Sequence, residues 1–340
     1  MRTIRVEEAV GTVLCHDITR IVPGKFKGRA FQRGHVVTEE DIPELLKLGK
    51  KNLYVWDDDE GLVHENDAAL RIARAVAGPE LALSEVSEGK VNLSACRDGM
   101  LDIDEETLFK INMVPDLAVV TRANKKMVRA GEVVAGLRAI PIAIEETYLR
   151  QVEQICAAKE VIGIRPSRSL KVGVVTTGFE VYTGLIQDKF GPFLMKKLAE
   201  YACEMSRQVI LPDDADRITA VILELIADGA DLILATGGMS VDPDDVTPRG
   251  IKNTGARVVT YGAPVLPGSM MLLAYRNQIP ILGLPAGVMF SPTSILDVLL
   301  PFLICGVPVT KETVARLGLG GMCLRCQECR YPVCFFGTGV

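Results

Sequence analysis

The sequence has little of several features that mark large classes of protein. Aromatic residues make up 5% of the 340 residues, with one tryptophan, which argues against a base-stacking surface for nucleic acids. Basic residues are not in excess, because 38 Lys and Arg stand against 43 Asp and Glu, a net charge of −5. No apolar run approaches the roughly 20 residues of a membrane helix, and from the first residues we expect no signal peptide. We therefore expect a cytoplasmic protein without nucleic-acid or membrane partners.

The length and the composition predict about two domains. Hydrophobic residues make up 48% of the chain and charged residues 24%, the balance of an ordinary globular protein. The stretch Arg165-Pro166-Ser167 is typical of a domain boundary. We predict an N-terminal α+β region over residues 1–166, an α/β domain over 167–308 and a cysteine-rich tail over 309–340.

The first half of the chain has an irregular pattern. Residues 53–56 predict a strand, and the pattern from 65 to about 110 favours helices. Short β-like runs over 112–145, interrupted by glycines, are typical of a small barrel or sandwich. A connecting helix is expected over 150–164. These expectations define an α+β region with a small β-rich part.

The second half shows alternating strands and helices. Apolar runs at 171–176, 209–211 and 231–236 predict buried strands, and amphipathic segments between them predict helices. This order predicts a mostly parallel sheet with helices on both faces, a three-layer α/β fold. Ligands of such sheets bind beyond the carboxyl ends of the strands. Attention therefore falls on the segments 177–188, 236–248 and 284–292.

Two of these segments combine glycines with carboxylates. Gly237 and Gly238 follow a predicted strand, where paired glycines let the backbone amides approach an anion closely. Asp188 and Asp245 follow neighbouring strands, and a divalent cation such as Mg²⁺ would reconcile them with a phosphate. A tight turn with capping aspartates explains the same residues without a ligand. The pattern alone leaves both interpretations open.

The order of these motifs resembles the molybdopterin-binding domain family, which includes molybdopterin adenylyltransferases, molybdopterin molybdenumtransferases and gephyrin. Thr236-Gly237-Gly238, Asp245-Val246-Thr247-Pro248 and the preceding Gln187-Asp188-Lys189 carry the resemblance, which spans about residues 170–306. The N-terminal half is similar to the molybdenumtransferase branch, through the opening segment 8–18 and Gly131-Glu132-Val133-Val134-Ala135-Gly136. The resemblance implies the molybdopterin-binding fold.

The resemblance also implies a ligand, a cofactor and site residues. The ligand would be molybdopterin or adenylylated molybdopterin, with Mg²⁺ and molybdate as partners of the reaction and a homo-oligomer, a dimer or trimer, as the assembly. Asp188, Asp245 and Glu180 match catalytic positions, the first two also as Mg²⁺ ligands. Positions expected to bind the pterin ligand lie in the same segments: Thr177, Gly178, Thr236, Gly237, Gly238, Ser240, Thr247 and Pro285.

Two functions follow from this resemblance, and a third follows from the similarity of one loop to a second family with the same fold. The favoured one is a molybdopterin molybdenumtransferase-like enzyme of molybdenum-cofactor biosynthesis, which inserts molybdate with Mg²⁺-dependent release of the nucleotide. A non-catalytic carrier or sensor of molybdopterin is the alternative. A third, less favoured function is that of a competence-damage-type ADP-ribose pyrophosphatase, whose Asp-Asp-x-Thr loop is similar to Asp244-Asp245-Val246-Thr247.

Four of the nine cysteines lie within the last 18 residues. Cys323, Cys326, Cys329 and Cys334 are so closely spaced that we predict a metal site with zinc ahead of an iron–sulfur cluster. Ordinary thiols in a compact tail are the alternative. A further hypothesis, based only on the chemistry of soft ligands, is that these thiolates bind molybdenum or copper.

Overall fold

The computed structural model describes residues 2–22, 24, 26–55, 61–240, 242 and 245–339. The chain divides into two compact units. The first unit comprises residues 1–96, 102–122 and 130–163, and the second comprises 97–101, 123–129 and 164–340. The units are discontinuous in sequence, whereas the predicted domains were contiguous, and the tail from 309 onward lies in the second unit.

Nineteen strands are assigned in the described residues. They are β1 Arg2–Arg5, β2 Ile18–Val22, β3 Phe26–Phe31, β4 Asn52–Val55, β5 Leu62–His64, β6 Leu81–Leu83, β7 Lys90–Ala95, β8 Gly99–Ile103, β9 Leu117–Thr121, β10 Met127–Val128, β11 Val133–Ala139, β12 Ala143–Glu145, β13 Ile162–Pro166, β14 Lys171–Thr177, β15 Glu204–Leu211, β16 Leu232–Thr236, β17 Arg257–Tyr261, β18 Leu272–Arg276 and β19 Ile279–Leu284.

Ten α-helices are assigned in the same residues. They are α1 Asp41–Lys47, α2 Glu65–Val76, α3 Glu105–Asn112, α4 Glu146–Cys156, α5 Phe179–Tyr182, α6 Phe190–Ala199, α7 Ala215–Ala227, α8 Thr247–Asn253, α9 Ile295–Ile304 and α10 Lys311–Arg316. Within the described ranges, every helix is too short or too polar to cross a membrane.

The first unit is built from small antiparallel sheets and helices. Its largest sheet has the order β6-β7-β11-β9, and the pairs β1-β4, β2-β3 and β5-β12 are separate two-stranded sheets. The strand predicted over 53–56 is β4, and Trp56 lies outside the described residues. The expectation that 65 to about 110 favours helices is wrong for 81–103, because apolar residues of β7 alternate with a period of two and so line one face of a sheet.

The second unit contains a six-stranded mixed sheet. Its strand order is β15-β14-β16-β19-β18-β17. The pairs β15-β14, β14-β16 and β16-β19 are parallel, whereas β18 runs antiparallel to both of its neighbours. Strand β14 is buried along nearly its whole length, as expected for a central strand that is covered on both faces.

A separate hydrophobic core covers each face of this sheet. Because side chains alternate along a strand, Val172 and Val174 point into one core and Val175 into the other. Helices α6 and α9 contribute Leu194 and Leu296 to the first core, and α7 and α8 contribute to the second. The three-layer α/β fold class predicted for the second half is confirmed.

Helix α9 carries a buried ion pair. Asp297 and Lys197 are nearly inaccessible to solvent, and Lys197 Nζ lies 2.8 Å from Asp297 Oδ1. Burial raises the pKa of Asp297, and the ammonium of Lys197 opposes that rise. The same carboxylate accepts a hydrogen bond from the amide of Ser294 at 2.8 Å, which completes the capping box of α9. One side chain thus orients both α6 and α9.

The second unit also contains a buried lysine that contacts the carboxyl-terminal tail. Lys126 Nζ donates a hydrogen bond to the carbonyl of Phe336 at 2.7 Å and lies 4.9 Å from the ring centre of Tyr331. Within the described ranges it forms no ion pair with a carboxylate. Burial lowers the pKa of Lys126 to about 8, although the charge of Cys334 opposes this. The lysine ties the last residues of the chain to the fold.

We predict that Lys197→Met lowers the free energy of unfolding by about 3 kcal/mol, because it leaves Asp297 buried without its counter-ion. Urea unfolding measures the effect. The control is Lys196→Met on the exposed face of α6, which should change the free energy by less than about 0.5 kcal/mol. Equal effects of the two substitutions would contradict the prediction.

A second prediction concerns Lys126. Its pKa is about 8 in the folded protein against 10.5 for an unperturbed lysine, so the folded state binds fewer protons between these values and gains stability as pH rises. The stability of the wild type relative to Lys126→Met should therefore increase by about 3 kcal/mol from pH 8 to 10.5. Urea unfolding across this range tests it. If the free energy of unfolding changed with pH in the same way in both proteins, Lys126 would not be the source of the pH dependence.

Candidate functional site

The loops after β14 and β15 are joined by Asp213. Strand β14 ends at Thr177, and Gly178 has a φ of 139°, after which α5 begins at Phe179. Asp213 follows β15 and its Oδ2 accepts a hydrogen bond from the amide of Phe179 at 3.0 Å. The neighbouring Asp214 caps α7 through the amides of Asp216 and Arg217. Asp213 is not among the predicted site residues, so the sequence did not reveal its bridging role.

The loop after β16 crosses the end of β14. Gly237 and Gly238 have φ values of 84° and 51°, in the region that favours glycine. A Cβ on Gly237 would lie 2.1 Å from the carbonyl oxygen of Thr177, and a Cβ on Gly238 would lie 2.9 Å from Thr247 Oγ1. Side chains at these two positions would therefore collide with the neighbouring backbone and hydroxyl. The two glycines are required by this close approach.

The crossing brings hydroxyl groups and free amides together. Thr177 Oγ1 lies 3.1 Å from Thr247 Oγ1, and both residues are buried. In the part of the chain that the structure describes, the amides of Gly237 and Gly238 donate no hydrogen bond. Both glycines are half-exposed. We call Thr177, Asp213, Gly237, Gly238 and Thr247 the glycine-loop cluster.

Asp188 lies at the amino end of α6. Its Oδ1 accepts a hydrogen bond from the amide of Phe190 at 2.9 Å, and its Oδ2 accepts from Gly191 at 3.1 Å and from Gln208 Nε2 at 2.7 Å. Gln208 also donates to Thr176 Oγ1 at 2.9 Å. Because Thr176 and Thr177 point to opposite faces of β14, the partners of Asp188 lie on the other face from Thr247. Its carboxylate caps a helix.

Asp245 lies in the loop before α8. Its Oδ2 accepts a hydrogen bond from the amide of Asp242 at 3.1 Å, and its own amide donates to the carbonyl of Asp242 at 3.0 Å. The pKa of Tyr261 is raised mainly by burial and to a smaller extent by the charge of Asp245. Of the segment 236–248, residues 241, 243 and 244 lie outside the described residues, including Asp244 of the Asp-Asp-x-Thr resemblance.

The two aspartates therefore have separate partners. Among the residues that the structure describes, no three His, Cys, Asp or Glu side chains are arranged to hold one metal ion. Asp188 already accepts three hydrogen bonds, and Asp245 stabilises its own turn. As arranged, the two carboxylates do not form a preformed Mg²⁺ site, and a Mg²⁺ ion bound together with a phosphate stays a prediction.

The remaining predicted site residues are distributed around the carboxyl edge of the sheet. Thr236 is fully buried, and its hydroxyl lies 3.4 Å from Thr176 Oγ1, inside the fold. Glu180 and Ser240 are exposed, and the carbonyl of Ser240 accepts a hydrogen bond from the hydroxyl of Tyr261 at 3.2 Å. Pro285 follows β19 and precedes a short 3₁₀ helix at Ala286–Phe290. Glu180 and Ser240 are thus the predicted residues most open to a ligand.

The four tail cysteines do not form one cluster. Cys323 and Cys329 each have their sulfur near Thr293 Oγ1, at 3.8 and 4.0 Å, and Cys326 is exposed. The charge of Cys334 acts on Lys126 instead. Because no three of these thiols meet at one point in the described part of the tail, the tail as arranged does not fit a zinc or iron–sulfur site.

Two family models match the chain. The model described as "Probable molybdopterin binding domain" matches residues 173–316, which contain the six-stranded sheet almost entirely. A domain of unknown function matches residues 3–57 of the first unit.

Curated relatives match shorter segments. A CinA-like protein of Mycobacterium sp. (strain MCS) is 39% identical over 79 residues, which are 23% of this chain and 19% of the relative. A molybdopterin molybdenumtransferase of Synechococcus elongatus is 27% identical over 117 residues, 32% of this chain and 29% of the relative. The chain thus spans less than a third of the length of either relative.

Among solved structures, the molybdopterin biosynthesis enzyme MoaB of Thermus thermophilus is 25% identical, with a TM-score of 0.33. The match covers 41% of this chain and 98% of that one. The family model, whose span contains every residue of the glycine-loop cluster, confirms the resemblance noted in the sequence. Residues 173–316 of this chain match the molybdopterin-binding domain family.

Proposed function

We propose that residues 173–316 bind molybdopterin or its adenylylated form at the glycine-loop cluster. The observation that carries the proposal is the pair of free amides at Gly237 and Gly238, held beside the hydroxyls of Thr177 and Thr247. Neighbouring backbone amides in a concave turn bind phosphate oxygens well. The terminal phosphate of the pterin is the group that such a site would hold.

The carboxylate of Asp213 at the glycine-loop cluster affects how a phosphate would bind. A Cβ on Gly238 would lie 3.4 Å from Asp213 Oδ1, so a phosphate on the amides of this loop would lie close to a carboxylate. Like charges at this distance oppose binding unless a cation or a proton compensates them. This is the physical reason to measure binding with and without Mg²⁺.

The finer part of the proposal is the insertion of molybdate. It is supported by the match to a molybdopterin molybdenumtransferase over 117 residues, which share 27% identity with this chain. In this reaction the chain would bind adenylylated molybdopterin, and the nucleotide would leave as molybdate is inserted. The residues of this chain would position the phosphate and exclude water from it. A homo-oligomer belongs to the same proposal.

The test starts from the purified full chain and adenylylated molybdopterin. AMP is measured by chromatography with and without molybdate and with and without Mg²⁺. AMP release that requires molybdate supports insertion. Binding without release supports the alternative of a carrier or sensor. If the pterin does not bind, the proposal is overturned.

A pyrophosphatase of ADP-ribose is the second candidate function. The observation in its favour is Asp244-Asp245-Val246-Thr247, which is similar to the Asp-Asp-x-Thr loop of the competence-damage-type family. Incubation of the same preparation with ADP-ribose tests it. Formation of AMP and ribose 5-phosphate without any binding of molybdopterin would favour this function over the first.

We predict that Ser240→Ala weakens the binding of molybdopterin about tenfold without changing the melting temperature. Ser240 is exposed, and within the described residues its hydroxyl has no hydrogen-bond partner, so its loss leaves the fold intact. A lost hydrogen bond to a charged phosphate accounts for the factor. Titration calorimetry measures both proteins. Ser169→Ala, at the amino end of β14, is the control that should bind normally.

A further prediction separates the two aspartates. Asp245→Ala should lower molybdate-dependent AMP release at least tenfold, with a change of less than about 0.5 kcal/mol in the free energy of unfolding. Asp188→Ala should instead cost about 1 kcal/mol of stability, because it removes the cap of α6. Urea unfolding and the AMP assay measure the two effects. Full activity of Asp245→Ala would exclude a catalytic role for this residue.

A further inference from the structure

A cavity opens at the edge of the sheet that lies opposite the glycine-loop cluster. Its volume is about 630 Å³, within the range of sites for small organic ligands. Asp231 precedes β16, Arg257 begins β17, and Pro280 lies near the start of β19, so the cavity lies at the amino ends of these strands. The cluster lies at their carboxyl ends. The length of β16, about 15 Å, separates the two edges.

Two arginines in the lining of the cavity have no ion-pair partner among the described residues. Arg168 and Arg257 line it, and neither forms an ion pair with any residue in the described ranges. Lys311 also lines the cavity and donates a hydrogen bond to Thr260 Oγ1 at 2.6 Å. Unpaired guanidinium groups at a concave surface are suited to phosphate or carboxylate groups, which they bind through paired hydrogen bonds.

The two acidic residues of the lining are already engaged. Asp231 Oδ2 accepts a hydrogen bond from the amide of Lys171 at 2.9 Å. Hydrogen bonds to its own backbone amide and to Thr310 lower the pKa of Glu312. Their partners are groups of the protein, so these carboxylates do not neutralise the guanidiniums by direct contact. Cationic side chains in the lining outnumber acidic ones by three to two.

Besides the charged groups, the lining combines apolar side chains with the phenol of Tyr275 and the polar side chains of Asn277, Gln278 and Thr310. Tyr275 is half-buried, and its oxygen accepts a hydrogen bond from the amide of Val309 at 3.1 Å, which leaves its proton free to be donated. Apolar side chains surround it, those of Val258, Val259, Pro280, Leu303, Val307, Pro308 and Val309. Such a wall favours a planar or apolar body in the ligand.

We propose that this cavity is a second ligand site, which binds a small organic anion with one phosphate or carboxylate group and a planar apolar body. Arg168 and Arg257 would hold the anionic group, Tyr275 would donate a hydrogen bond, and the apolar wall would contact the body. The proposal does not depend on the function assigned to the glycine-loop cluster, since the two sites share no residue.

The test uses 1-naphthyl phosphate as the probe, with uncharged 1-naphthol for comparison, on the full chain. Titration calorimetry should show binding of the phosphate, at least tenfold tighter than that of the naphthol and weaker as salt increases. The double variant Arg168→Gln/Arg257→Gln should lose at least tenfold in affinity. Arg74→Gln, an exposed arginine of α2, is the matched control and should bind as the wild type does.

A second variant blocks the cavity without removing charge. Val307→Trp should abolish binding of the probe while Ser240→Ala leaves it unchanged, with melting temperatures checked for each protein. Loss of binding in Ser240→Ala alone would place the probe at the glycine-loop cluster and overturn the proposal. No binding of the probe at millimolar concentration, or equal binding by the arginine variant and Arg74→Gln, would also overturn it.

Discussion

The candidate site depends on the close approach of Gly237 to the carbonyl of Thr177. A single added Cβ would lie 2.1 Å from that oxygen, so this contact permits no side chain. The approach lets the loop after β16 cross the end of β14 and places Gly238 beside Thr247. Asp213 then ties the loops of β14 and β15 together through the amide of Phe179. The loops that follow three strands of the sheet meet where one backbone passes directly over another.

The edges of the sheet in the second unit differ in charge. The carboxyl edge carries Asp188, Asp213 and Asp245, while the amino edge carries Arg168 and Arg257. An anion at the carboxyl edge would depend on backbone amides and hydroxyl groups, because the charged side chains named there are acidic. An anion at the amino edge would depend on guanidinium groups. One sheet thus offers two different physical means of holding a negative charge.

The sequence was informative wherever the signal is local. Buried strands such as β14 and β16 are continuous apolar runs, and the cap of α7 by Asp214 can be read from the residues before the helix. The strands over 81–103 differ from the predicted helices because the period of two in Lys90–Ala95 is short and follows the helical pattern of Glu65–Val76. A local pattern predicts a helix or a strand well when its period is clear, and poorly when a helical and a strand period lie close together in the sequence.

Side-chain roles at the site were harder to predict, because they depend on residues far along the chain. Whether Asp188 binds a metal or caps a helix is decided by Gln208 on another strand. The spacing of the tail cysteines suggested one metal site, yet Thr293 lies beside two of them, and a third acts on Lys126 through its charge. Such partners are brought together by tertiary packing, which no single stretch of sequence records.

The discontinuity of the second unit has a practical consequence for work with its α/β domain. Met100 lies in the core on one face of the sheet, fully buried, although it is about 70 residues ahead of β14. A fragment cut at the limits of the family match would lack this methionine and the lysine that anchors the tail. It would carry a void where a thioether had been packed and would end before the tail that this lysine anchors, so any weakness seen in the fragment would reflect the excision and not the native protein.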